Sequence, residues 1–272
     1  MAGELDKNLS EESRRALYGN VMLHMPWHCK ADPRFHYWVY IPETYLEEHG
    51  DQPYHLIVII HGTGCHLDGY LNAVRGFANR EHAAVLAPVF PGGLLVAGDI
   101  NSYKLVSCDG IRYDQILLSM VREMGEQYPG IRTDKFFLFG HSGGGQFVNR
   151  FLLAHPDKLI AASIGAPGRP TYLNFEEDYF WGVRDFKAHF DKEIDLEALK
   201  KVPVQMLVGE RDVAYIGDSP YGDNRTARLE ALKENFEAHG VPVELKVIPG
   251  IGHDDGDGER IEACTGFFRR FF

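Results

Sequence analysis

The sequence Phe136-Phe-Leu-Phe-Gly-His-Ser-Gly-Gly-Gly-Gln146 joins a short apolar run to a glycine-rich turn. The apolar run predicts a buried strand, and the pattern that follows predicts a helix over 145–154. Between them, Gly140, Ser142 and Gly144 match the pattern G-x-S-x-G. A serine on so tight a turn stands clear of the backbone, and the helix N-terminus behind it offers N–H groups to a developing oxyanion. This stretch therefore predicts a nucleophilic serine.

Short apolar segments and helical patterns alternate along most of the remaining chain. Apolar and β-branched runs predict strands at residues 34–41, 56–60, 83–87, 136–139, 159–164, 204–208 and 243–248. Helical spacing predicts helices at residues 4–17, 113–128, 145–154, 225–239 and 259–272. Strands that alternate with helices predict an α/β fold, in which helices cover both faces of a mostly parallel sheet.

The length of 272 residues suits a single α/β domain over 1–272. One segment, 167–201, interrupts the alternation and carries aromatic side chains among acidic residues. Two interpretations stay open: ordinary helices that pack their aromatics on the body of the domain, or a lid or cap insertion whose aromatics face a substrate. Under the second interpretation, the candidate substrate-binding residues are Tyr172, Phe180, Trp181 and Phe186.

Composition and charge narrow the classes of partner. The net charge is −11, from 39 acidic and 28 basic residues, which argues against nucleic acid or an anionic membrane as the partner. No apolar run approaches the roughly 18 residues of a membrane span, and the polar first residues predict no signal peptide. Four scattered cysteines without metal-ligand spacing predict free thiols and a cytoplasmic location. The oligomeric state stays open, a dimer included.

A serine hydroxyl used as a nucleophile needs a base, usually histidine, and the base needs an orienting carboxylate. His253 is the predicted base, because it follows a strand and a glycine turn at the edge where open α/β sheets place their sites. Asp212 is the predicted carboxylate, because a short glycine turn joins it to the strand predicted at 204–208. Glu210, two residues nearer to that strand, is the alternative.

An oxyanion formed at Ser142 needs two N–H donors. The N–H of Gly143, directly after the nucleophile, is the predicted first donor. The second donor should come from the loop after an earlier strand, where glycines let the backbone approach a substrate closely. Thr63 is the predicted residue, with Gly62 or Gly64 as alternatives.

With these parts in the order Ser142, Asp212, His253, the sequence resembles the α/β-hydrolase superfamily from about residue 35 to 272. Within that superfamily it looks like the polyhydroxybutyrate-depolymerase and feruloyl-esterase-like branch. The resemblance rests on Val-Tyr-Ile-Pro at 39–42, His-Gly-Thr-Gly at 61–64, Asp-Gln-Ile-Leu-Leu at 114–118, Gly-His-Ser-Gly-Gly-Gly at 140–145 and Val-Gly-Glu-Arg-Asp at 208–212. It implies a serine hydrolase that cleaves a carboxylic ester through an acyl-enzyme.

No cofactor or metal is predicted, because the chain has no phosphate-binding or dinucleotide motif. Its acidic run at 254–259 also lacks the invariant glycine of an EF-hand. The expected substrate is a small or medium ester with an apolar or aromatic group. Lactones, amides and carbon–carbon bonds are alternative substrates for the same machinery. A hydrolase-like protein that binds a small molecule with little turnover is the alternative of another class.

Overall fold

The structure is a computed structural model, and it describes Ser10, Ser13 and residues 25–42, 44–45 and 53–272. The strands of this part, in chain order, are β1 (Trp27–His28), β2 (His36–Tyr40), β3 (His55–Ile60), β4 (Ala83–Val89), β5 (Ser107–Cys108), β6 (Ile111–Arg112), β7 (Phe136–His141), β8 (Leu159–Gly165), β9 (Val204–Gly209) and β10 (Val243–Ile248). The main sheet has the order β1-β2-β4-β3-β7-β8-β9-β10, and β5 pairs with β6 as a separate ribbon.

Most strands of the main sheet run parallel. Strand β2 is antiparallel to both β1 and β4, and every other neighbouring pair is parallel. The structure therefore confirms the predicted α/β fold with a mostly parallel sheet. Strand β7 lies near the middle, where Phe139 is in register with Ile59 of β3 and with Ser163 of β8. Loops after β3, β7, β9 and β10 thus leave the sheet at the same edge.

Helices cover both faces of this sheet. The α-helices of the described residues are α1 (Asp68–Arg80), α2 (Tyr113–Gln127), α3 (Gly143–Ala154), α4 (Phe186–Phe190), α5 (Leu196–Leu199), α6 (Arg225–Ala238) and α7 (Asp257–Phe268). Leu56, Val58 and Ile60 of β3 share one core with α2, α3 and α6. Ile57 and Ile59 share the other core with α1 and α7. A strand buried on both faces must be apolar throughout, which explains the unbroken apolar run of β3.

Several boundaries differ from the predictions. Helix α3 begins at Gly143, two residues earlier than predicted, so it follows Ser142 directly. Strand β4 continues to Val89 through Pro88, because its register with β3 ends at Leu86 and no β3 residue lies opposite Pro88 to accept a hydrogen bond. The last helix ends at Phe268, and a 3₁₀ turn follows it.

The predictions for the N-terminal helix and for the loop between β4 and β5 have different outcomes. The helix predicted at 4–17 lies outside the described residues, apart from Ser10 and Ser13. The aperiodic loop between β4 and β5 contains a 3₁₀ helix, Ser102–Leu105. No described helix combines the length and the apolar character that a bilayer crossing requires. All four cysteines are free thiols, as predicted.

Close backbone contacts at the start of α3 give a test of this packing. A Cβ added to Gly145 would lie 2.2 Å from the carbonyl oxygen of Gly165 on β8. We expect Gly145→Ala to lower the free energy of unfolding by about 1–3 kcal/mol, because neither backbone can move apart cheaply. Urea unfolding followed by circular dichroism measures this.

Gly266 is the matched control, since it lies exposed on α7 and an added Cβ there would meet nothing within 4 Å. Gly266→Ala should raise the free energy of unfolding by up to about 1 kcal/mol, through higher helix propensity. Equal effects of the two substitutions would contradict this account of the packing.

Candidate active site

Ser142 sits between β7 and α3 in a backbone conformation that is rare for a residue with a side chain, with φ 58° and ψ −115°. Its N–H donates to the carbonyl of Gly165 at 2.9 Å, which ties the turn to β8. A Cβ on Gly140 would lie 2.5 Å from the carbonyl oxygen of Gly144, so only glycine fits at that position. The turn therefore presents the Ser142 side chain above the sheet edge.

Ser142, His253 and Asp212 form a chain of hydrogen bonds. His253 Nε2 lies 2.9 Å from Ser142 Oγ, and His253 Nδ1 lies 2.6 Å from Asp212 Oδ2. Because a carboxylate only accepts, Nδ1 carries the ring proton and Nε2 is the acceptor for the serine hydroxyl. Glu210, the alternative carboxylate, is exposed and instead accepts the N–H of Gly250 at 2.8 Å.

Asp212 is buried, yet it stays ionised. Burial acts to raise the pKa of its carboxyl, but the hydrogen bond from His253 and the charge of Arg225 outweigh burial and hold the pKa below its usual value. Arg225 Nη1 lies 3.2 Å from the second carboxylate oxygen. The hydroxyl of Thr226 donates to the Asp212 carbonyl at 3.0 Å. Both residues belong to the first turn of α6, which therefore fixes this carboxylate.

Two buried side chains hold the loop that carries His253. Burial, assisted by the charge of Arg260, keeps the pKa of His141 well below its usual value, so the ring is neutral at pH 7. His141 Nε2 donates to the carbonyl of His253 at 3.0 Å. Arg260 Nη2 donates to the same carbonyl at 2.9 Å and to that of Gly252 at 2.6 Å. The position of His253 is thus set through its backbone.

The loop after β3 brings N–H groups to the serine. The Cys65 N–H donates to the Gly62 carbonyl at 3.0 Å, which closes a tight turn with Thr63 inside it. A Cβ on Gly143 would lie 3.1 Å from the nitrogen of Thr63, so the two predicted donors are neighbours. The Thr63 N–H has no hydrogen-bond partner within the described residues, and Gly143, as the first residue of α3, has none within its helix.

His61 supports this turn from below. Burial lowers the pKa of its imidazole, so the ring is neutral. Its Nε2 accepts the N–H of Phe90 at 3.0 Å, and its Nδ1 therefore donates to the Gly62 carbonyl at 2.7 Å. The hydroxyl of Tyr103 donates to the carbonyl of His61 at 3.2 Å. These contacts hold the turn that carries Thr63.

Comparison with protein-family models and with curated proteins gives no match for this sequence. Solved structures do match it. Poly(aspartic acid) hydrolase-1 from Sphingomonas sp. KT-1 has a TM-score of 0.68 at 20% identity, covering 85% of this chain and 92% of that one. The poly(3-hydroxybutyrate) depolymerase of Bordetella parapertussis has a TM-score of 0.67 at 23% identity, over 96% and 94%. A ferulic acid esterase has 0.65 at 14% identity, over 91% and 97%.

The chain has the α/β-hydrolase fold. At these identities the likeness establishes the fold alone. Within this α/β-hydrolase fold, Ser142 lies at the end of the central strand β7, where the loops after β3, β9 and β10 meet it.

Two cavities of this α/β-hydrolase domain open beside Ser142. The larger, of about 360 Å³, is lined by Ser142, Thr63 and apolar and basic side chains; we call it the basic cavity after Lys104, Arg150, Arg169, Arg225 and Arg228. The smaller, of about 240 Å³, is lined by the 62–64 turn, His66, Tyr70, His141, Ser142, His253, Asp254 and Asp257; we call it the second cleft. The serine therefore has space on two sides.

The four aromatic residues predicted to bind substrate are placed differently from one another. Phe180 lines the basic cavity. Trp181 lines neither cavity, and its ring packs on the guanidinium of Arg228, 5.5 Å away.

Tyr172 and Phe186 are buried in the main core, with 0% and 1% of their surface exposed. Tyr172 stacks on Tyr221 with 3.5 Å between the ring centroids, and Phe186 stacks on Phe190 with 4.3 Å between the ring centroids. The prediction that these two residues bind substrate is therefore wrong, because their rings are occupied by the core. Whether residues 167–201 move as a lid stays a prediction.

Sequence reasoning missed Arg260 and the five basic residues of the cavity. For His141, the position next to the serine predicts a side chain that points away from Ser142 or packs beneath it, and in the structure its ring contacts the carbonyl of His253. The basic residues belong to separate segments spread from 104 to 228 and match no motif. Among the described residues, no cluster of three or more histidine, cysteine, aspartate or glutamate side chains could hold a metal ion.

Lys104 gives a pH-dependent test of this site. Burial lowers the pKa of its ammonium group to about 8, from an ordinary value of 10.5. The folded state then loses the proton before the unfolded state does, so wild type gains stability relative to Lys104→Met as pH rises from 7.5 to 9.5. We expect a relative gain of about 1–2 kcal/mol in the free energy of unfolding, measured by urea unfolding at a series of pH values.

Lys246→Met is the control, because Lys246 is exposed on β10 and lines neither cavity. Its difference from wild type should stay constant within about 0.5 kcal/mol over the same range. A difference between wild type and Lys104→Met that does not change with pH would show that Lys104 is not desolvated.

Proposed function

We propose that this protein is a serine hydrolase that cleaves a carboxylic ester through an acyl-enzyme. The observation that carries the proposal is the hydrogen-bond chain from Ser142 through His253 to Asp212, next to the N–H groups of Thr63 and Gly143. A nucleophile, a base, an orienting carboxylate and oxyanion donors are the parts that acyl transfer requires.

In the first half of the proposed reaction, Ser142 Oγ attacks the ester carbonyl while His253 Nε2 takes the hydroxyl proton. The carbonyl oxygen becomes an oxyanion and accepts hydrogen bonds from the N–H groups of Thr63 and Gly143. Asp212 stabilises the imidazolium and keeps its orientation. His253 then gives the proton to the leaving alkoxide, the C–O bond breaks, and the alcohol departs.

In the second half, water replaces the alcohol. His253 removes a proton from water, and the resulting hydroxide attacks the carbonyl of the acyl-enzyme. The second tetrahedral intermediate collapses when His253 returns the proton to Ser142 Oγ. The acid leaves and the enzyme is restored. Each N–H donor to the oxyanion typically contributes about 3 kcal/mol to transition-state stabilisation.

The similar solved structures support an ester as the bond that is cleaved. They include proteins described as a poly(3-hydroxybutyrate) depolymerase and as a ferulic acid esterase. Lactone, amide and carbon–carbon bond cleavage remain alternatives on the same residues, and a panel of such substrates separates them. Tight binding of a ligand without turnover would favour the alternative of a binding protein.

Labelling tests the nucleophile. We expect a fluorophosphonate probe to label Ser142, as read by peptide mass spectrometry. Ser142→Ala should lose both the label and the hydrolysis of 4-nitrophenyl butyrate, because no other hydroxyl of the described residues is hydrogen-bonded to His253. Full activity of Ser142→Ala would lead us to abandon the proposal.

A second pair of variants tests the carboxylate. Asp212→Asn should lower kcat by about 10⁴-fold, because an amide no longer holds His253 in the required tautomer. Glu210→Gln is the matched control, two residues away on the same loop. It should stay within about twofold of wild type, because within the described part of the chain its side chain binds only the Gly250 N–H. The reverse result would assign the role to Glu210.

A further inference from the structure

The charge of the basic cavity is opposite to that of the protein. The chain as a whole carries −11, yet the cavity beside Ser142 is lined by three buried or partly buried arginines, one exposed arginine and a buried lysine. No aspartate or glutamate of the described residues belongs to the lining. Apolar contact comes from Leu105, Phe180 and Ile216. An apolar wall with a basic rim of this kind suits a ligand that has a short carbon chain and an anionic end.

Two buried arginines of the lining, Arg150 and Arg228, have no carboxylate partner among the described residues. Arg150 is fully buried and donates to the hydroxyl of Thr171 and to the carbonyls of Lys104 and Arg169. Arg228, 2% exposed, donates to the carbonyls of Gly168, Gly217 and Gly222.

A guanidinium has five N–H donors, so each of these arginines keeps donors after three bonds. Carbonyl groups bind the guanidinium but do not neutralise its charge. Because an unpaired buried charge is costly, an anion at this position would be bound strongly.

Lys104 and Arg169 bring further donors to the same space. The ammonium of Lys104, 6% exposed, donates to the amide oxygen of Asn101 at 2.8 Å. It forms no ion pair within the described residues. Arg169 is exposed, and its side chain likewise has no hydrogen-bond or ion-pair partner in the described part of the chain. Arg150 holds the backbones of both residues, at 2.6 Å and 2.7 Å, and so fixes where their side chains begin.

The nearby carboxylates are already engaged elsewhere. Asp99, whose charge favours the protonated form of Lys104, accepts the backbone N–H groups of Asn101 and Ser102 and forms no ion pair with Lys104 among the described residues. Asp212 is bound to His253 on one oxygen and to Arg225 on the other. The Nε of Arg225 is buried and has no hydrogen-bond partner among the described residues. Among the described residues, no carboxylate forms an ion pair with Lys104, Arg150, Arg169 or Arg228, so their charges can act on a ligand.

The position of His253 decides which half of an ester enters the basic cavity. The leaving alkoxide must lie within hydrogen-bond reach of His253 Nε2, which protonates it. His253 lines the second cleft and not the basic cavity. The alcohol half therefore leaves through the second cleft, and the acyl half occupies the basic cavity.

We propose that the substrate is an ester whose acyl part ends in an anionic oxygen group, a carboxylate or a phosphate, held by Lys104, Arg150, Arg169 and Arg228. The assignment rests on the proposed ester hydrolysis at Ser142 and names its substrate class. It replaces the expected apolar or aromatic group, since Phe180 is the only one of the four aromatic candidates that lines the cavity. The carbon chain between the ester and the anion would lie against Leu105, Phe180 and Ile216.

Pairs of substrates that differ in one charge test this proposal. We expect kcat/KM for 4-nitrophenyl hydrogen adipate to exceed that for its methyl ester, which is neutral, by at least about tenfold. The 4-nitrophenyl ester of 4-phosphonobutyric acid, compared with its dimethyl phosphonate, tests a phosphate-like end and separates the two anions. The hexanoyl ester of 4-hydroxybenzoate, compared with its methyl ester, places the charge on the alcohol half and should show no preference.

Substitutions then connect the preference to the cavity. Lys104→Gln and Arg169→Gln should each lower the ratio of anionic to neutral kcat/KM by about tenfold. Arg169→Gln is the variant least expected to misfold, because the Arg169 side chain is exposed and forms no hydrogen bond or ion pair with the described residues. Lys246→Gln removes the same charge on β10, away from the cavity, and should leave the ratio within about twofold of wild type.

The outcomes separate this proposal from the proposed function. Equal kcat/KM for charged and neutral acyl groups, with Ser142 still labelled and the neutral ester still cleaved, overturns the anionic acyl group alone. A preference for charge on the alcohol half overturns the assignment of the two cavities. An absence of both labelling and turnover overturns the ester hydrolysis on which the proposal rests. If Lys246→Gln lowers the ratio of anionic to neutral kcat/KM as much as Lys104→Gln does, the preference comes from the net charge of the protein. That result overturns the assignment of the anion to the basic cavity.

Discussion

A Cβ on Gly144 would sit 2.3 Å from the carbonyl oxygen of Ile60, and one on Gly145 would sit 2.2 Å from that of Gly165. Helix α3 thus begins in direct backbone contact with the two strands that flank β7. This contact turns the chain sharply enough to place Ser142 above the sheet edge. It also brings the loop after β3 against the serine, so one packing constraint positions both the proposed nucleophile and its oxyanion donors.

Two buried arginines connect the loops around the basic cavity. Arg150 joins the 3₁₀ helix Ser102–Leu105 to the start of the 167–201 segment, and Arg228 joins that segment to the loop before α6. Both use carbonyl acceptors, which satisfy N–H groups without cancelling charge. The bracing of the loops and the positive potential beside Ser142 therefore have one physical origin.

The proposed base is held in place mainly through its backbone. His141 and Arg260 both donate to the carbonyl of His253, and neither touches the ring nitrogens that contact Ser142 and Asp212. The neutral state of His141 matters here, because a charged ring would repel Arg260 and the imidazolium that forms at His253. A residue adjacent to the serine in sequence thus contributes to the site from beneath the histidine loop.

The sequence by itself determined the sheet, its parallel strands and the candidates Ser142, Asp212 and His253. Each of these residues follows a predicted strand, either directly or after a short turn, so a local pattern places it at the sheet edge. The choice between Asp212 and Glu210 needed the structure, because the two residues are neighbours and only the direction of the side chain separates them.

Tertiary structure alone decided the lining of the cavities. Lys104, Arg150 and Arg228 lie far apart in sequence and meet only because the loops fold over α3. Tyr172, Phe180 and Phe186 are all aromatic residues of the same segment. The rings of Tyr172 and Phe186 pack in the core, whereas Phe180 lines the basic cavity. Local patterns report which elements form, whereas the surroundings of a side chain depend on contacts between distant segments, which no local pattern encodes.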